Sequence, residues 1–411
     1  MKKILLLLAL LLVVLAAIVL LFAAFADRAA SGAPAPSEEP RPTPDPTPKP
    51  TPTPEPVSPT EPTPDPTPAP EPVVYDDPAE ARLAAMTLEE KALQMILYSC
   101  HDPAKVEPAA AAGVGGLCLY TASFSGKDRD GVIAMTSALQ ESAPLPLLIS
   151  VDEEGGTVNR VSLFPALRSS PFLSPRALFR AGGWSRIASD TEEKAQFLLP
   201  LGINVNLAPV CDVPRSSLNY IYWRTFSGNA PEVAAYAEMV VGIMKEQGIG
   251  SVLKHFPGYG GSADTHGGLA YDRRSYAAFA DGDFLPFRAG IEAGADAVLV
   301  NHNIVECMDA ELPASLSPEV HRILREELGF EGVVLCDDLA MGAITQFTGG
   351  QNVAVQAVLA GNDLLCCDDY ENSAAAIAEA VRSGLIDEAQ LDASVLRILR
   401  WKLSLGLDIS P

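Results

Sequence analysis

The distribution of apolar positions divides the chain into three stretches. The first is an unbroken apolar run, Ile4 to Phe25, behind Lys2 and Lys3. A run of that length can cross a bilayer as a helix, with the two lysines kept on the inner side. Ala24 and Ala26 around Phe25 also read as a small-residue cleavage site ahead of Asp27. Residues 1–26 are therefore expected to be a signal peptide or a membrane anchor, and either one exports the rest of the chain. The second stretch has no periodicity: residues 34–72 carry 18 of the chain's 35 prolines, interleaved with Thr, Asp, Glu, Ala and Lys. Fixed φ and missing N–H groups exclude helix interiors and central strands there. Residues 27–74 thus read as a disordered Pro/Thr-rich linker, on the order of 100 Å long when stretched, that would hold the remainder away from a membrane.

From Met86 onward, short apolar runs rich in branched residues alternate with stretches of helical period. The candidate strands are Gln94–Ser99, Gly115–Tyr120, Leu147–Val151, Asn204–Ala208, Ser251–His255, Ala297–Asn301, Gly332–Cys336 and Asp363–Cys367. Thr87–Met95 leads in as a helix, with Thr87 as N-cap and Glu90 at its third position. Ala230–Glu246, Phe284–Ala293, Pro318–Leu328 and Ala374–Ser383 read as amphipathic helices. Eight parallel strands with crossover helices imply a (β/α)8 barrel across residues 75–411, with a doubly wound sheet as the rival arrangement. A barrel gathers the residues at the carboxyl ends of its strands around one mouth. Those residues are Asp152, Asp212, Lys254, His255, His302, Asp337, Asp338 and Asp368, and apolar strands that repeatedly end in ionisable groups predict a site rather than core packing.

Composition narrows the partners. The formal charge is −23 over 411 residues, and residues 27–74 hold only three basic and eight acidic side chains, so residues 75–411 are themselves strongly acidic. A basic patch for nucleic acid or an anionic lipid surface is not expected. The seven cysteines follow no metal-ligand spacing and mostly sit in apolar runs, as buried thiols do. No metal and no cofactor is expected.

Three motifs carry candidate chemistry. In VDEEGGTVNR, Val151 to Arg160, the pair Gly155–Gly156 permits a tight turn that returns Arg160 over Asp152. A carboxylate can grip vicinal sugar hydroxyls and an arginine can clamp a substrate oxygen; a structural Asp–Arg pair is the plainer alternative. In VLCDDLAMGAI the adjacent Asp337 and Asp338 leave opposite sides of an extended strand, so one is expected at the mouth and the other turned aside. A carboxylate there can attack an anomeric carbon, and two acids after a strand can also hold Mg²⁺. In KHFPGYGGSADTH, Lys254 and His255 end a strand. Both can reach the mouth only through a bulge or the strand end. The adjoining glycine-rich loop brings Asp264 and His266 to one side, where the carboxylate can orient the ring.

Taken together, DEEGG…R, NLAPV.D, KHFPG.G…D.H and DDLAMGAI resemble family 3 of the glycoside hydrolases, in its bacterial β-N-acetylglucosaminidase (β-hexosaminidase) branch, over about Met86 to Leu407. The resemblance implies a (β/α)8 barrel and a retaining double displacement at terminal β-linked GlcNAc. It implies Asp337 as nucleophile, His266 as general acid/base and Asp264 as its dyad partner. It implies Asp152, Arg160, Arg224, Lys254 and His255 as substrate-binding residues. Tyr259 stands where the family commonly has a histidine, Thr157 where an arginine is common, and the loop before Asp264 is a residue shorter than in many members. With export added, the expectation is an extracytoplasmic monomer acting on muropeptide-like glycans, membrane-bound through residues 1–26 if these are uncleaved. A β-N-acetylglucosaminide phosphorylase and a non-catalytic wall-binding barrel are the alternatives.

Overall fold

A computed structural model of the chain describes residues 75–261 and 264–410; the expected export segment and linker lie outside them. Eight strands, β1 (Ile96–Cys100), β2 (Gly116–Leu119), β3 (Leu148–Val151), β4 (Val205–Asn206), β5 (Gly250–Phe256), β6 (Ala297–Val300), β7 (Val333–Cys336) and β8 (Leu364–Cys367), form a closed barrel. All neighbours are parallel, and β1 closes the ring against β8 through Ile96 opposite Leu365 and Tyr98 opposite Cys367. Every residue of these strands is buried. That is why they read as continuous apolar runs and not as alternating ones.

Helices on the outside supply the crossovers, and local chemistry fixes their ends. Thr87 and Glu90 form the expected capping box at the head of Leu88–Gln94. Ser174, Asn229 and Ser317 cap Pro175–Leu198, Ala230–Gln247 and Pro318–Arg322 by accepting backbone N–H groups. Glu388–Ser404 packs against Pro78–Ala85, where the Arg400 guanidinium binds Asp77 and Glu80. No helix among the described residues is long and apolar enough to cross a membrane.

All eight expected strands are present, with shifted edges. Gln94 belongs to the leading helix rather than to β1: its side chain donates to the Gly113 carbonyl and accepts from Lys402, and the strand starts at Ile96. Strand β4 is two residues long, because the Ala208 N–H turns back onto the Asn206 carbonyl at 2.7 Å and leaves the ladder, which resumes only at Val210 opposite Lys254. The helix Arg129–Ser142 and the helical stretch Pro175–Leu198, which breaks at Gly182–Gly183, are elements that the expected set did not name.

Candidate active site

The carboxyl ends of the strands open onto a cavity of about 430 Å³, within the roughly 300–1,000 Å³ of small-molecule sites. Asp152, Arg160, Arg224, Lys254, His255, His266 and Asp337 all line it. The remaining expected site residue, Asp264, stands behind His266 and does not reach the cavity itself.

One wall is a lattice of charges. Asp152, at the end of β3, accepts from Lys254 Nζ at 2.7 Å and from Arg160 Nη2 at 3.3 Å. Glu154 accepts from Lys254 Nζ at 2.6 Å and binds Arg224 in a bidentate fork, at 2.9 and 2.7 Å. Burial opposes the charge on both acids, but the neighbouring Lys254, Arg160 and Arg224 cations outweigh it and hold both carboxyls below the usual range. Burial likewise opposes the ammonium of Lys254, and Asp152 and Glu154 raise its proton affinity above the ordinary value. Between these two acids, Glu153 serves the backbone: it accepts from the N–H groups of Arg160 and Val161 at 2.8 Å and from the Ser162 hydroxyl. The base of the 152–160 turn is thereby fixed, while Thr157 at its tip is exposed.

Both side chains of the Lys254–His255 pair reach the cavity. The register of β5 shifts between Lys254 and Phe256, as a bulge requires, and the peptide joining Lys254 to His255 is cis. His255 Nδ1 lies 2.7 Å from Asp212 Oδ2 and its Nε2 lies 3.0 Å from Arg224 Nη2. An arginine only donates, so Nε2 accepts and the ring proton sits on Nδ1 against the carboxylate.

Asp337 follows β7. Its Oδ1 accepts from the Asp338 N–H at 2.9 Å, and its own N–H is held by the Val300 carbonyl at 2.9 Å. Asp338 also borders the cavity, but its carboxylate is engaged by Ser99 Oγ at 2.6 Å, His101 Nε2 at 3.0 Å and the Ala340 N–H at 2.9 Å. The expectation that one acid of the pair turns aside is therefore met by its bonding and not by its location. Among the described residues no three His, Cys, Asp or Glu side chains are grouped to hold a metal ion.

His266 borders the cavity on an exposed loop, its Nδ1 2.7 Å from Asp264 Oδ1. That bond fixes the ring and leaves Nε2 as the nitrogen facing away from the carboxylate. The loop rests on the helix Gly342–Thr348 that comes after Asp337. The Thr265 carbonyl accepts from Ala343 N–H at 3.1 Å, and a Cβ on Gly342 would stand 2.6 Å from the His266 carbonyl oxygen.

Three residues expected at the mouth lie elsewhere. His302 is fully buried: its Nε2 donates to the Asp338 carbonyl at 2.9 Å and its Nδ1 meets Ser315 Oγ at 2.7 Å, and burial pushes its proton affinity down. Asp212 is buried behind His255 and Tyr259. Asp368 borders a different cavity, beside Gly350 to Val353. Conversely, Glu154, His101 and Tyr120 belong to the site's framework and were not singled out from the sequence. His101 stacks on Tyr120 with ring centroids 4.2 Å apart, and both line the cavity. Both stand at the carboxyl ends of their strands, so the rule that selected the other mouth residues could have found them.

Comparison with known proteins gives concordant results. Residues 87–401 match the family described as the glycosyl hydrolase family 3 N terminal domain. The chain is 36% identical over 282 residues to a beta-hexosaminidase of Xylella fastidiosa (strain M23), covering 66% of this chain and 81% of that protein. Among solved structures it is similar to a glycoside hydrolase family 3 beta-N-acetylglucosaminidase from Paenibacillus sp. str. FPU-7, with TM-score 0.73 and 32% identity. That alignment covers 78% of this chain but only 63% of the longer Paenibacillus chain. A family 3 glycosyl hydrolase from Mycobacterium smegmatis aligns with TM-score 0.70 and 30% identity, over 78% of this chain and 98% of that one.

Proposed function

Because the chain belongs to glycosyl hydrolase family 3, and so is a glycoside hydrolase, we propose that it is a retaining exo-β-N-acetylglucosaminidase. The observation that carries this reading is that Asp337 and His266 border one cavity, together with a charged wall suited to gripping sugar hydroxyls. Asp337 attacks C1 while His266 Nε2–H gives its proton to the departing glycosidic oxygen. The C1–O bond breaks and a glycosyl ester forms on Asp337. Water then attacks the same carbon; Nε2 takes its proton, and the ester opens to release GlcNAc and restore both residues. Asp264 keeps the Nδ1–H directed at itself, so a single ring nitrogen exchanges protons in both halves of the cycle. The Asp338 N–H on Asp337 Oδ1 fixes the carboxylate rotamer for attack.

The substrate class extends this reading. An apolar segment followed by a proline-rich stalk would place the barrel outside the cytoplasm, anchored or secreted, where peptidoglycan fragments with terminal β-linked GlcNAc are the available substrates. Support comes from the sequence of residues 1–74 together with the similarity to β-N-acetylglucosaminidases.

The test is incubation with a 5-fluoro GlcNAc analogue followed by peptide mass spectrometry, with the adduct expected on Asp337. Turnover of an aryl β-GlcNAc in phosphate buffer should release GlcNAc. GlcNAc-1-phosphate as the main product would make the protein a phosphorylase, and a wild-type protein that binds wall glycan without turnover would make it a binding module. Fractionation with alkaline extraction separates an anchored from a secreted form.

A further inference from the structure

We propose that Arg274, paired with Asp283, is a positioning residue for proton transfer, because it fixes the base of the glycine loop that carries His266. This inference rests on the reading of His266 as acid/base. Neither residue borders the cavity, so any effect on the chemistry passes through the loop. Gly258 and Gly260, with φ of +119° and +47°, form the loop's first turn. A Cβ on Gly258 would stand 2.6 Å from Asp283 Oδ1, and one on Gly260 would overlap the Arg274 guanidinium. The loop backbone therefore lies directly on the Arg274–Asp283 pair, closer than any side chain allows.

The guanidinium holds two carboxylates and a loop carbonyl at once. Nη1 donates to Asp283 Oδ2 at 2.7 Å, Nε and Nη2 grip the carboxylate of Asp272 at 2.9 and 2.8 Å, and Nη2 also reaches the Gly258 carbonyl at 3.3 Å. Only a planar fork can lie flat against Gly260 while holding two acids at once. From the other side, the Arg215 N–H donates to the Gly260 carbonyl at 3.1 Å, and its guanidinium approaches Asp283 at 3.5 Å. Burial pushes the Asp283 carboxyl up to about 6 even against Arg274 and Arg215, so its charge depends on those guanidinium groups. Tyr259, between the two glycines, gives its N–H to Asp212, the carboxylate that also holds His255. The loop is thus pinned at its base by this pair, as it is at its far end by the Ala343 N–H on the Thr265 carbonyl.

The experiment compares kcat/KM for a 2,4-dinitrophenyl β-GlcNAc, which needs little protonation to leave, with that for methyl β-GlcNAc, which needs it fully. Arg274→Met is expected to lower the methyl substrate's value by roughly 10- to 100-fold, part of the 10²–10⁴ that proton transfer supplies, and to leave the dinitrophenyl value almost unchanged. Arg274→Lys, which keeps the charge without the fork, is expected to retain most of the defect. Gly260→Ala keeps every charge but forces the loop backbone and the Arg274 guanidinium apart, so it is expected to give the same split with an intact fold. Equal losses on both substrates, or none, in the folded Gly260→Ala protein would overturn the proposal. His266→Ala serves as the reference. If it shows the split and the loop-base variants do not, this inference alone fails; if it shows none, the acid/base reading fails with it.

Discussion

The charged wall and the acid loop border the same cavity on contrasting terms. In the wall, the side chains of Lys254 and Glu154 are 2% and 1% exposed, and Asp152, Glu154, Lys254, Arg160 and Arg224 each have an opposite charge within 3.3 Å. In the loop, His266 and Asp264 are 65% and 46% exposed and, among the described residues, hold only each other as a charge partner. The physical demands differ in the same way. Hydroxyl binding gains from donors and acceptors already desolvated and aimed, since no reorganisation is then needed when the sugar arrives. A group proposed to give a proton to a leaving group and take one from water can exchange protons readily where solvent reaches it. On the proposed reading, binding is built into the fold and proton exchange is kept at its surface.

The sharpest way to test this division is to remove the carboxylate that belongs to neither side. Asp337→Ala is expected to lower aryl β-GlcNAc hydrolysis by roughly 10⁴-fold or more with the thermal midpoint unchanged; a residual rate within tenfold of wild type would place the nucleophile elsewhere. Next in size, Lys254→Met breaks the wall by removing the ammonium that Asp152 and Glu154 share, leaving each acid with a single arginine. It should cost about 1.5–3 kcal/mol of stability and lower kcat/KM equally for all leaving groups, measured by denaturant titration and kinetics. A variant as stable as wild type would mean the wall is not clamped.

His266→Ala probes the loop. It should fold with an unchanged midpoint, lose roughly 10²-fold on methyl β-GlcNAc and lose little on the dinitrophenyl substrate. A drop in stability would contradict the contrast with the wall. The wall should also resist acid. Asp152 and Glu154 hold their carboxyls below the ordinary range, so the stability they contribute is present above the unfolded-chain value. It is lost only as pH falls through their lower folded values.

An effect on stability alone concerns a second buried lysine, Lys402, whose Nζ donates to Gln94 Oε1 at 2.6 Å beside the amino end of β1. Burial, reinforced by Arg82, pushes its ammonium down from the ordinary 10.5 to about 7. The folded state therefore releases the proton first, and the unfolded chain binds more protons between about pH 7 and 10.5. Stability should rise with pH across that window and level off above it. Thermal midpoints of wild type and Lys402→Met from pH 6 to 10 isolate the contribution, and a difference that does not change with pH would refute it.

The barrel was legible because its strands are fully buried, so each leaves an apolar run bounded by turn residues. Edges were not: whether Gln94 ends a helix or begins a strand depends on Lys402, more than three hundred positions away. At the site, Asp152, Lys254, His255 and Asp337 announce themselves as polar breaks at strand ends, and all reach the cavity. His302 gives the same local signal yet is buried, because Ser315 and the Asp338 carbonyl satisfy both ring nitrogens, and neither partner is adjacent in sequence. Glu154 was hidden for a related reason. Three consecutive acids look alike on paper, and only the fold gives Asp152 to Arg160, Glu153 to the backbone and Glu154 to Arg224.

The way Glu153 grips the turn has a practical corollary for redesign. Its carboxylate secures the amides of Arg160 and Val161 without help from the tip, so Thr157 stands on a scaffold that does not rely on its identity. Randomising that position, or lengthening the tip by a few residues, should leave Arg160 in place and the barrel folded.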